Sequence, residues 1–295
     1  MNTVKLLSIM LVVVLILTVW NMYSVETLRR DFAAEAREIK SAVKTIREET
    51  TIETYVVNTP LLSDKVTIHP SLVKWLKKSH VIFVDDMEGT LKWTTYGNGT
   101  IGIDDEIVFN GEKSLSIVSP EGSWQIMEAL RLFSPPKRKV MGFAFRWICY
   151  GTNFGYIDFG IEFRNALNNY RKAGEIYIYS LGLPYYRVEN GDIIRFSKDS
   201  GLPSSFDTAE VKGDLPWHFT AIIIDFEKSE YVSFLIDDSE VMMNGIKLYD
   251  RMPREGPSEY NMMEVFFIVS NGDKGQPAQC FFDDIIVFNL SESQL

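Results

Sequence analysis

Three stretches of the chain differ in how apolar and polar residues follow one another. Residues 6–20 carry no charge and are almost all apolar, and the uncharged stretch continues to Val25. Between residues 25 and 50 the apolar positions recur at steps of three and four, which is the period of an amphipathic helix. After residue 80 short apolar and aromatic runs alternate with polar residues and are separated by Gly, Asn, Asp and Pro, which is typical of β-strands. The pattern therefore predicts an apolar helix, an amphipathic helix and then a β-domain.

The apolar N-terminal segment is long enough to cross a membrane. A spanning helix needs about 20 apolar residues, with a range of roughly 17–25. Residues 6–23 reach that range if Tyr23 lies in the headgroup region, where Trp20 is also favoured. A cleaved signal peptide has the same basic start and apolar run but ends in small residues, which residues 19–23 lack. We therefore predict a transmembrane signal-anchor over residues 1–24.

The orientation of this anchor depends on opposing signals. Six basic residues between positions 29 and 47 favour a cytoplasmic C-terminus by the positive-inside rule. A long domain crosses a membrane largely regardless of that charge, and the glycosylation triplets that begin at Asn98 and Asn289 favour an outside location. We predict a single-pass membrane protein whose C-terminal domain is extracytoplasmic.

Two segments connect the anchor to the β-rich region. Residues 25–50 are predicted to form a helical stalk with one apolar stripe. The stalk either lies against its own domain or forms a short coiled coil that makes a homo-oligomer, and both alternatives remain open. Residues 51–79 are predicted to be a linker with short helical turns, because Pro60 and Pro70 interrupt regular structure and a short helical run begins at Ser71.

The remainder, residues 80–291, is predicted to form one all-β domain. Nine or more short strands follow one another, and no helical pattern separates them. Such a succession predicts a two-sheet antiparallel jelly-roll sandwich, preceded here by the transmembrane helix and the helical stalk.

Three short motifs give this domain a resemblance to a known superfamily. Residues 84–93 read VDDMEGTLKW, residues 217–226 read WHFTAIIIDF and residues 281–289 read FFDDIIVFN. Together they resemble the concanavalin A-like lectin and glucanase superfamily, especially its laminin-G-like members and its jelly-roll carbohydrate-binding modules. The resemblance covers roughly residues 80–290, although the hairpin after the second motif ends in Ser239 instead of the family's usual glycine. It implies the fold and says little about function.

One face of the strands predicted over residues 143–181 carries candidate ligand-binding side chains. Strand alternation sends the apolar residues to the core and the polar and tyrosine residues to the opposite face. Tyrosine rings stack on the apolar faces of sugars, charged groups bond their hydroxyls, and Gly160 would let a ligand approach the backbone closely. The alternative is a solvated face whose tyrosines pack across strands and whose charges pair. The predicted ligand-binding residues are Arg146, Tyr150, Tyr156, Asp158, Glu162, Arg164, Glu175, Tyr177 and Tyr179.

The same face is a poor candidate for glycoside hydrolysis. Asp158 and Glu162 are four positions apart on one strand and hence about 13 Å apart. Glycosidases need two carboxyl groups within about 5–9.5 Å. The related glucanases carry Glu-x-Asp-x-x-Glu on one strand, which this chain lacks, although Glu175 on the next strand leaves a closer pair open. We therefore predict a domain that is not an enzyme.

Four carboxylates in the opening and closing strands predict a structural Ca²⁺ ion. These strands are neighbours in many jelly rolls, so Asp86, Glu88, Asp283 and Asp284 would meet and supply some of the six to eight oxygens that calcium takes. The resemblance implies such an ion, because structural calcium at this place is common in the carbohydrate-binding relatives. The alternative is turn chemistry, since Asp closes strands and caps loops.

Composition excludes some partners and leaves other questions open. With 30 Lys and Arg residues against 40 Asp and Glu, the net charge is −10 and no basic cluster is present, so we expect no nucleic-acid partner. Two cysteines exclude a Cys-rich zinc module. Cys149 and Cys280 form either a disulfide or two buried thiols. Trp93, Trp124 and Trp217 are interpreted as core or rim residues.

Taken together, these features predict a membrane-anchored extracytoplasmic domain that recognises a glycan or surface polymer without catalysis. The alternative is a structural subunit of a cell-surface or virion assembly that makes protein contacts only. The sequence names neither the glycan nor the partner.

Overall fold

The computed structural model of the chain describes residues 66–136, 140–150, 154–165, 170–179, 183–203, 217–251, 261–273 and 275–290. All of them belong to one compact unit, Val56–Leu295. The predicted signal-anchor over residues 1–24, the stalk over residues 25–50 with its homo-oligomer alternative, and residues 51–65 of the predicted linker lie outside the described residues.

The predicted localisation has to be corrected. In the part of the chain that the structure describes, no helix has both the length and the apolar character needed to cross a membrane. The expectation rested on residues 6–23, which lie outside that part. The prediction of a single-pass membrane protein with an extracytoplasmic domain is therefore wrong.

The described residues form one short α-helix, sixteen strands and one 3-10 turn. Their bounds are α1 (Pro70–Leu76), β1 (Ser79–Asp85), β2 (Thr94–Tyr96), β3 (Thr100–Asp104), β4 (Ser114–Val118), β5 (Ile126–Phe133), β6 (Val140–Tyr150), β7 (Phe154–Asn165), β8 (Tyr170–Tyr179), β9 (Tyr185–Arg187), β10 (Ile193–Arg195), the 3-10 turn (Lys198–Ser200), β11 (His218–Asp225), β12 (Glu230–Ile236), β13 (Ser239–Met242), β14 (Tyr249–Arg251), β15 (Met262–Asn271) and β16 (Gln279–Leu290).

These strands make two antiparallel sheets of eight strands each. Sheet A has the order β13-β12-β11-β6-β16-β4-β3, and sheet B has the order β10-β9-β8-β7-β15-β5-β2. In sheet A, β4 pairs with the first part of β16 and β1 with its last part. In sheet B, β14 pairs with β8. The predicted all-β, two-sheet antiparallel sandwich is therefore confirmed.

The core lies between the two sheets and is rich in phenylalanine. Strand alternation sends Phe143 and Phe145 of β6 inward from one sheet and Phe159 and Phe267 inward from the other. The ring of Phe145 meets that of Phe159 at 4.8 Å and that of Phe267 at 4.7 Å, both edge to face. Because each buried aromatic side chain removes a large apolar area from water, this cluster supplies much of the driving force that holds the sheets together.

Helix α1 covers part of the outer face of sheet A. Pro70 occupies its first turn, and the His69 side chain caps it by accepting the amide of Ser71 at 3.3 Å. Leu72 and Leu76 are buried on the apolar outer side of sheet A. The outer face of sheet A is therefore a second, smaller hydrophobic core.

A disulfide joins the two central strands of sheet A. Cys149 of β6 and Cys280 of β16 are directly opposite each other, with their Cα atoms 4.1 Å apart and their sulfurs bonded. Of the two alternatives that the sequence left open, the structure contains the disulfide. It closes a segment of 131 residues, which restricts the unfolded chain.

Candidate ligand-binding surface on sheet B

The outer face of sheet B brings most of the predicted ligand-binding residues together. Strands β8, β7 and β15 are neighbours, and their antiparallel register sets the outward side chains in rows across the sheet. Four successive rows, each from β8 through β7 to β15, are Tyr179–Tyr156–Ser270, Tyr177–Asp158–Ile268, Glu175–Gly160–Phe266 and Ala173–Glu162–Glu264. Tyrosines therefore lie at one end of the face, with Asp158 buried among them, and the opposed pair Glu162 and Glu264 lies at the other.

Four tyrosines at the first end of the face, Tyr156, Tyr177, Tyr179 and Tyr185, form what we call the tyrosine cluster. The ring of Tyr156 lies 5.7 Å from that of Tyr177 and 5.5 Å from that of Tyr179, which in turn lies 5.1 Å from that of Tyr185. Tyr177 is buried, whereas the other three are half-buried. The rings thus pack across the strands and still present part of their surface to a ligand.

Burial keeps these phenols in their neutral form. Burial, followed by the nearby charge of Asp158, raises the pKa of Tyr177 and of Tyr156 above the usual value for tyrosine. Burial also raises the pKa of Tyr179. A neutral phenol both donates and accepts a hydrogen bond, which suits the hydroxyl groups of a sugar.

An ion pair supports the cluster from beside it. The Arg187 guanidinium lies 2.9 Å from Oε2 of Glu175, and the Tyr177 hydroxyl donates to the same oxygen at 2.9 Å. The guanidinium also lies over the rings of Tyr177 and Tyr249, at 5.3 and 4.8 Å. Burial works against its charge, but Glu175 and its neighbours raise the pKa of Arg187 above the usual value. The rotamer of Tyr177 is therefore fixed before any ligand arrives.

Two glutamates and two arginines form an ion network at the other end of the face. Glu162 and Glu264 are directly opposite each other, a placement that would repel if the charges were alone. Arg164 bridges them, with 2.7 Å to each carboxylate, and Arg171 also pairs with Glu162. Burial, followed by the charge of Glu162, raises the pKa of Glu264. Both glutamates are at most 1% exposed, so neither carboxyl group is presented to a substrate.

Gly160 has a different role from the predicted one. A Cβ atom at this position would collide with the carbonyl oxygen of Gly174 and would lie 2.9 Å from Cζ of Phe266. The space above the glycine is therefore filled by a phenylalanine ring of the same sheet. Gly160 serves the close packing of β7 against its neighbours, and the expectation of a close ligand approach is wrong.

Arg146 and Tyr150 lie on the opposite side of the sandwich from the other predicted residues. Both point outward from β6, but β6 belongs to sheet A, whereas β7 belongs to sheet B. The Arg146 guanidinium lies over Phe109 at 4.2 Å, and the ring of Tyr150 packs edge to face on Phe281. The prediction assumed that consecutive strands share a sheet. The chain instead crosses between sheets after β6, so the two outward sets face away from each other.

The predicted calcium ligands bind backbone amides. The carboxylates of Asp283 and Glu88 each accept hydrogen bonds from two backbone amides of a neighbouring loop. Those of Asp284 and Asp86 each accept one such bond. The contacts are Asp283 with Phe109 and Asn110, Glu88 with Glu112 and Lys113, Asp284 with Thr67, and Asp86 with Glu88. These bonds are the turn chemistry that the sequence offered as the alternative.

Two of these carboxyl groups, Asp283 and Asp284, are buried side by side and have raised pKa values. Burial, followed by the charge of Asp283, raises the pKa of Asp284 to about 8, and burial raises that of Asp283 to about 6. Oδ1 of Asp284 is buried and accepts no hydrogen bond from the described residues. In the same residues, however, no three His, Cys, Asp or Glu side chains are grouped so that they could hold a metal ion. These carboxylates alone do not make a complete site, and calcium stays a prediction.

Several residues of this surface were not predicted. Arg171 lies on β8, the strand that follows β7, whereas Arg187, Tyr185 and Glu264 contact the predicted residues from strands that no local pattern connects to β7. Alternation along β15 does put Glu264 on the outward face. Its place opposite Glu162 depends on a strand pairing across about a hundred residues, which the sequence does not show.

Comparison with known proteins finds solved structures of low similarity. No protein-family model matches the chain, and no curated protein matches it. Among solved structures, it is similar to "Cellulose induced protein, Cip1", with 14% identity, a TM-score of 0.43, and coverage of 70% of this chain and 96% of that one. It is also similar to an endo-β-1,4-glucuronan lyase from the fungus Trichoderma reesei, with 13% identity, a TM-score of 0.44, and coverage of 72% and 92%.

A third similar structure is the carbohydrate recognition domain of Emp47p, with 11% identity, a TM-score of 0.41, and coverage of 78% of this chain and 99% of that one. All three structures are less than 15% identical to the chain and have TM-scores below 0.5, so they carry no argument about its function. They include an enzyme and a carbohydrate recognition domain. What this chain does must therefore be argued from its own residues.

Proposed function

We propose that this chain is a glycan-recognition domain that binds its ligand at the tyrosine cluster on the outer face of sheet B, without catalysis. One observation carries the proposal. Three half-buried tyrosine rings, Tyr156, Tyr179 and Tyr185, lie in contact beside a rigid group made of Tyr177, Glu175 and Arg187.

The chemistry of this cluster suits a sugar better than it suits an apolar ligand. A sugar ring has an apolar face of C–H groups and an edge of hydroxyl groups. Tyrosine provides a flat apolar surface and a polar tip in one side chain. Because the phenols stay neutral and Tyr177 is already oriented by Glu175, little side-chain freedom is lost on binding.

The absence of catalysis is part of the proposal. Glycoside hydrolysis needs a carboxylic acid and a carboxylate that both reach the glycosidic bond. The opposed pair on this face, Glu162 and Glu264, is buried and bound to Arg164 and Arg171. Glu175 is engaged by Arg187 and Tyr177. Each of these carboxyl groups holds the sheet face together, so we assign none of them to acid–base chemistry.

The test is binding of the full chain to a glycan array, with variants that remove rings and hydroxyls separately. We expect Tyr156→Ala with Tyr179→Ala to weaken binding at least about tenfold, which corresponds to loss of a binding hot spot. The corresponding pair of Phe substitutions keeps the rings and should retain part of the affinity. Met242→Ala, at an exposed residue of sheet A, is the matched control and should bind as the wild type does.

Three results would contradict the proposal. One is an array on which the wild-type chain binds nothing. Another is binding that the double alanine variant keeps in full while it remains folded by circular dichroism. Release of shortened products from a bound glycan would overturn the non-catalytic part alone.

A further inference from the structure

A loop at the start of β5 holds a tryptophan in solvent on a strained backbone. We call residues 119–125 the tryptophan loop. Trp124 is 56% exposed and has a φ of 55°, in the left-handed region that is unfavourable for a residue with a Cβ atom. Glycine or asparagine would adopt this conformation more easily.

A buried asparagine of β15 fixes the loop in this conformation. The Asn271 side chain accepts the amide of Gln125 at 2.7 Å and donates to the carbonyl oxygens of Pro120 and Gly122 at 2.9 and 2.6 Å. The amide of Trp124 donates to the carbonyl oxygen of Gly272 at 3.2 Å. The strain is therefore imposed by a network of bonds around the tryptophan and does not arise from a loosely held loop.

Stability does not account for a tryptophan at this position. Trp124 is 56% exposed, so it gains much less from burial than a core tryptophan such as Trp147, while its backbone conformation is unfavourable. Residues that break a local rule and gain no packing in return are concentrated at functional sites.

The strand register places this loop at the same end of sheet B as the tyrosine cluster. One row across the sheet, from β8 to β5, reads Tyr179, Tyr156, Ser270 and Ile126. Neighbouring strands are about 4.8 Å apart, so this row is about 14 Å long. Ile126 is 44% exposed and follows Trp124 by two residues. On the next strand, Tyr96 points outward and is 51% exposed. Exposed apolar and aromatic side chains are therefore present on sheet B beyond the tyrosine cluster.

We propose that Trp124, with Tyr96 and Ile126 beside it, forms a second aromatic subsite of the glycan-binding surface. The ligand is then an extended oligosaccharide or polysaccharide that lies across the strands of sheet B, since a single terminal sugar cannot contact both ends of the row. This inference rests on the function proposed above and adds the class of ligand.

The test measures how affinity depends on chain length. The probes are cello-, xylo- and manno-oligosaccharides from the disaccharide to the hexasaccharide, titrated calorimetrically into the full chain and into three variants. The variants are Trp124→Gly, the tyrosine double variant Tyr156→Ala with Tyr179→Ala, and the control Met242→Ala. Thermal unfolding of each variant is recorded in parallel.

We expect Trp124→Gly to weaken the longest probe that binds by about tenfold and to leave the shortest one that binds unchanged. We also expect its melting temperature to be equal to or above that of the wild type, because glycine relieves the left-handed strain. A structural role for Trp124 would lower the melting temperature instead, and that result would overturn the inference.

The remaining outcomes separate the two proposals. If Trp124→Gly binds every length as the wild type does while the tyrosine double variant loses binding, the second subsite is wrong and the proposed function stands. If affinity does not rise with chain length, the extended ligand is wrong. If the wild type binds none of these probes and nothing on the glycan array, the proposed function itself fails.

Discussion

The outer faces of the two sheets arise from the same strand alternation but differ in what covers them. On sheet A many outward residues of β11, β16 and β12 are apolar and buried together, and helix α1 packs on them through Leu72 and Leu76. On sheet B the outward residues of β7 and β8 are tyrosines and charged groups, which bond to one another. Alternation therefore says which residues leave the core and does not say what they meet. The chemistry of the outward set decides between a second core and a binding surface.

The largest effect should come from breaking the ion network on sheet B. Arg171→Met leaves Glu162 and Glu264 opposed with one arginine fewer, and we expect the free energy of unfolding to fall by about 3–5 kcal/mol. The measurement is urea unfolding followed by circular dichroism. Adding Glu162→Gln to this variant removes the repulsion and should restore part of the loss. Equal losses in the single and double variants would show that the charges of these residues do not interact.

A smaller loss of stability is expected from the corresponding change on sheet A. Leu76→Ala removes a buried side chain between α1 and the sheet and should lower the free energy of unfolding by about 2–3 kcal/mol. Glycan affinity should stay unchanged, because α1 and the tyrosine cluster belong to opposite faces. A loss of affinity without unfolding would contradict the division of roles between the two faces.

The smallest effect concerns the two adjacent carboxylates of β16, Asp283 and Asp284. The folded pKa of Asp284 is raised to about 8, so its stabilising protonated form is lost as the pH rises through that value. Asp284→Asn removes the charge and suits the left-handed φ of 48° at this residue. We expect it to raise the free energy of unfolding by about 1–2 kcal/mol in calcium-free buffer above pH 8.

The predicted calcium ion is tested by measuring the stability of the same two proteins with added Ca²⁺. If the predicted ion binds here, added Ca²⁺ should raise the melting temperature of the wild type and leave that of Asp284→Asn unchanged. The same response in both proteins, or none in either, would remove calcium from this place and leave turn chemistry as the role of these carboxylates.

The sequence predicted the class of fold and the inward and outward sets within single strands. Alternation assigned Phe145 and Phe159 to the core and Tyr156 and Tyr177 to an outer face, because those assignments depend only on neighbouring residues. It failed for Arg146, because the assignment of β6 and β7 to sheets depends on pairings made elsewhere in the chain.

The partners of the site residues were also beyond prediction. Arg164 meets Glu264 across a hundred residues, and the pairing of Cys149 with Cys280 could not be chosen over two free thiols. The left-handed backbone of Trp124 arises from bonds to Asn271, and no local pattern of the loop indicates them.

The disulfide between Cys149 and Cys280 has a consequence for how the protein would behave if it were cut. The segment between the two cysteines contains every strand from β7 to β15, and hence Tyr156, Tyr177, Tyr179 and Tyr185. A single proteolytic break anywhere in that segment would leave two fragments covalently joined. They would migrate together in a denaturing gel without reductant and separate once a thiol is added.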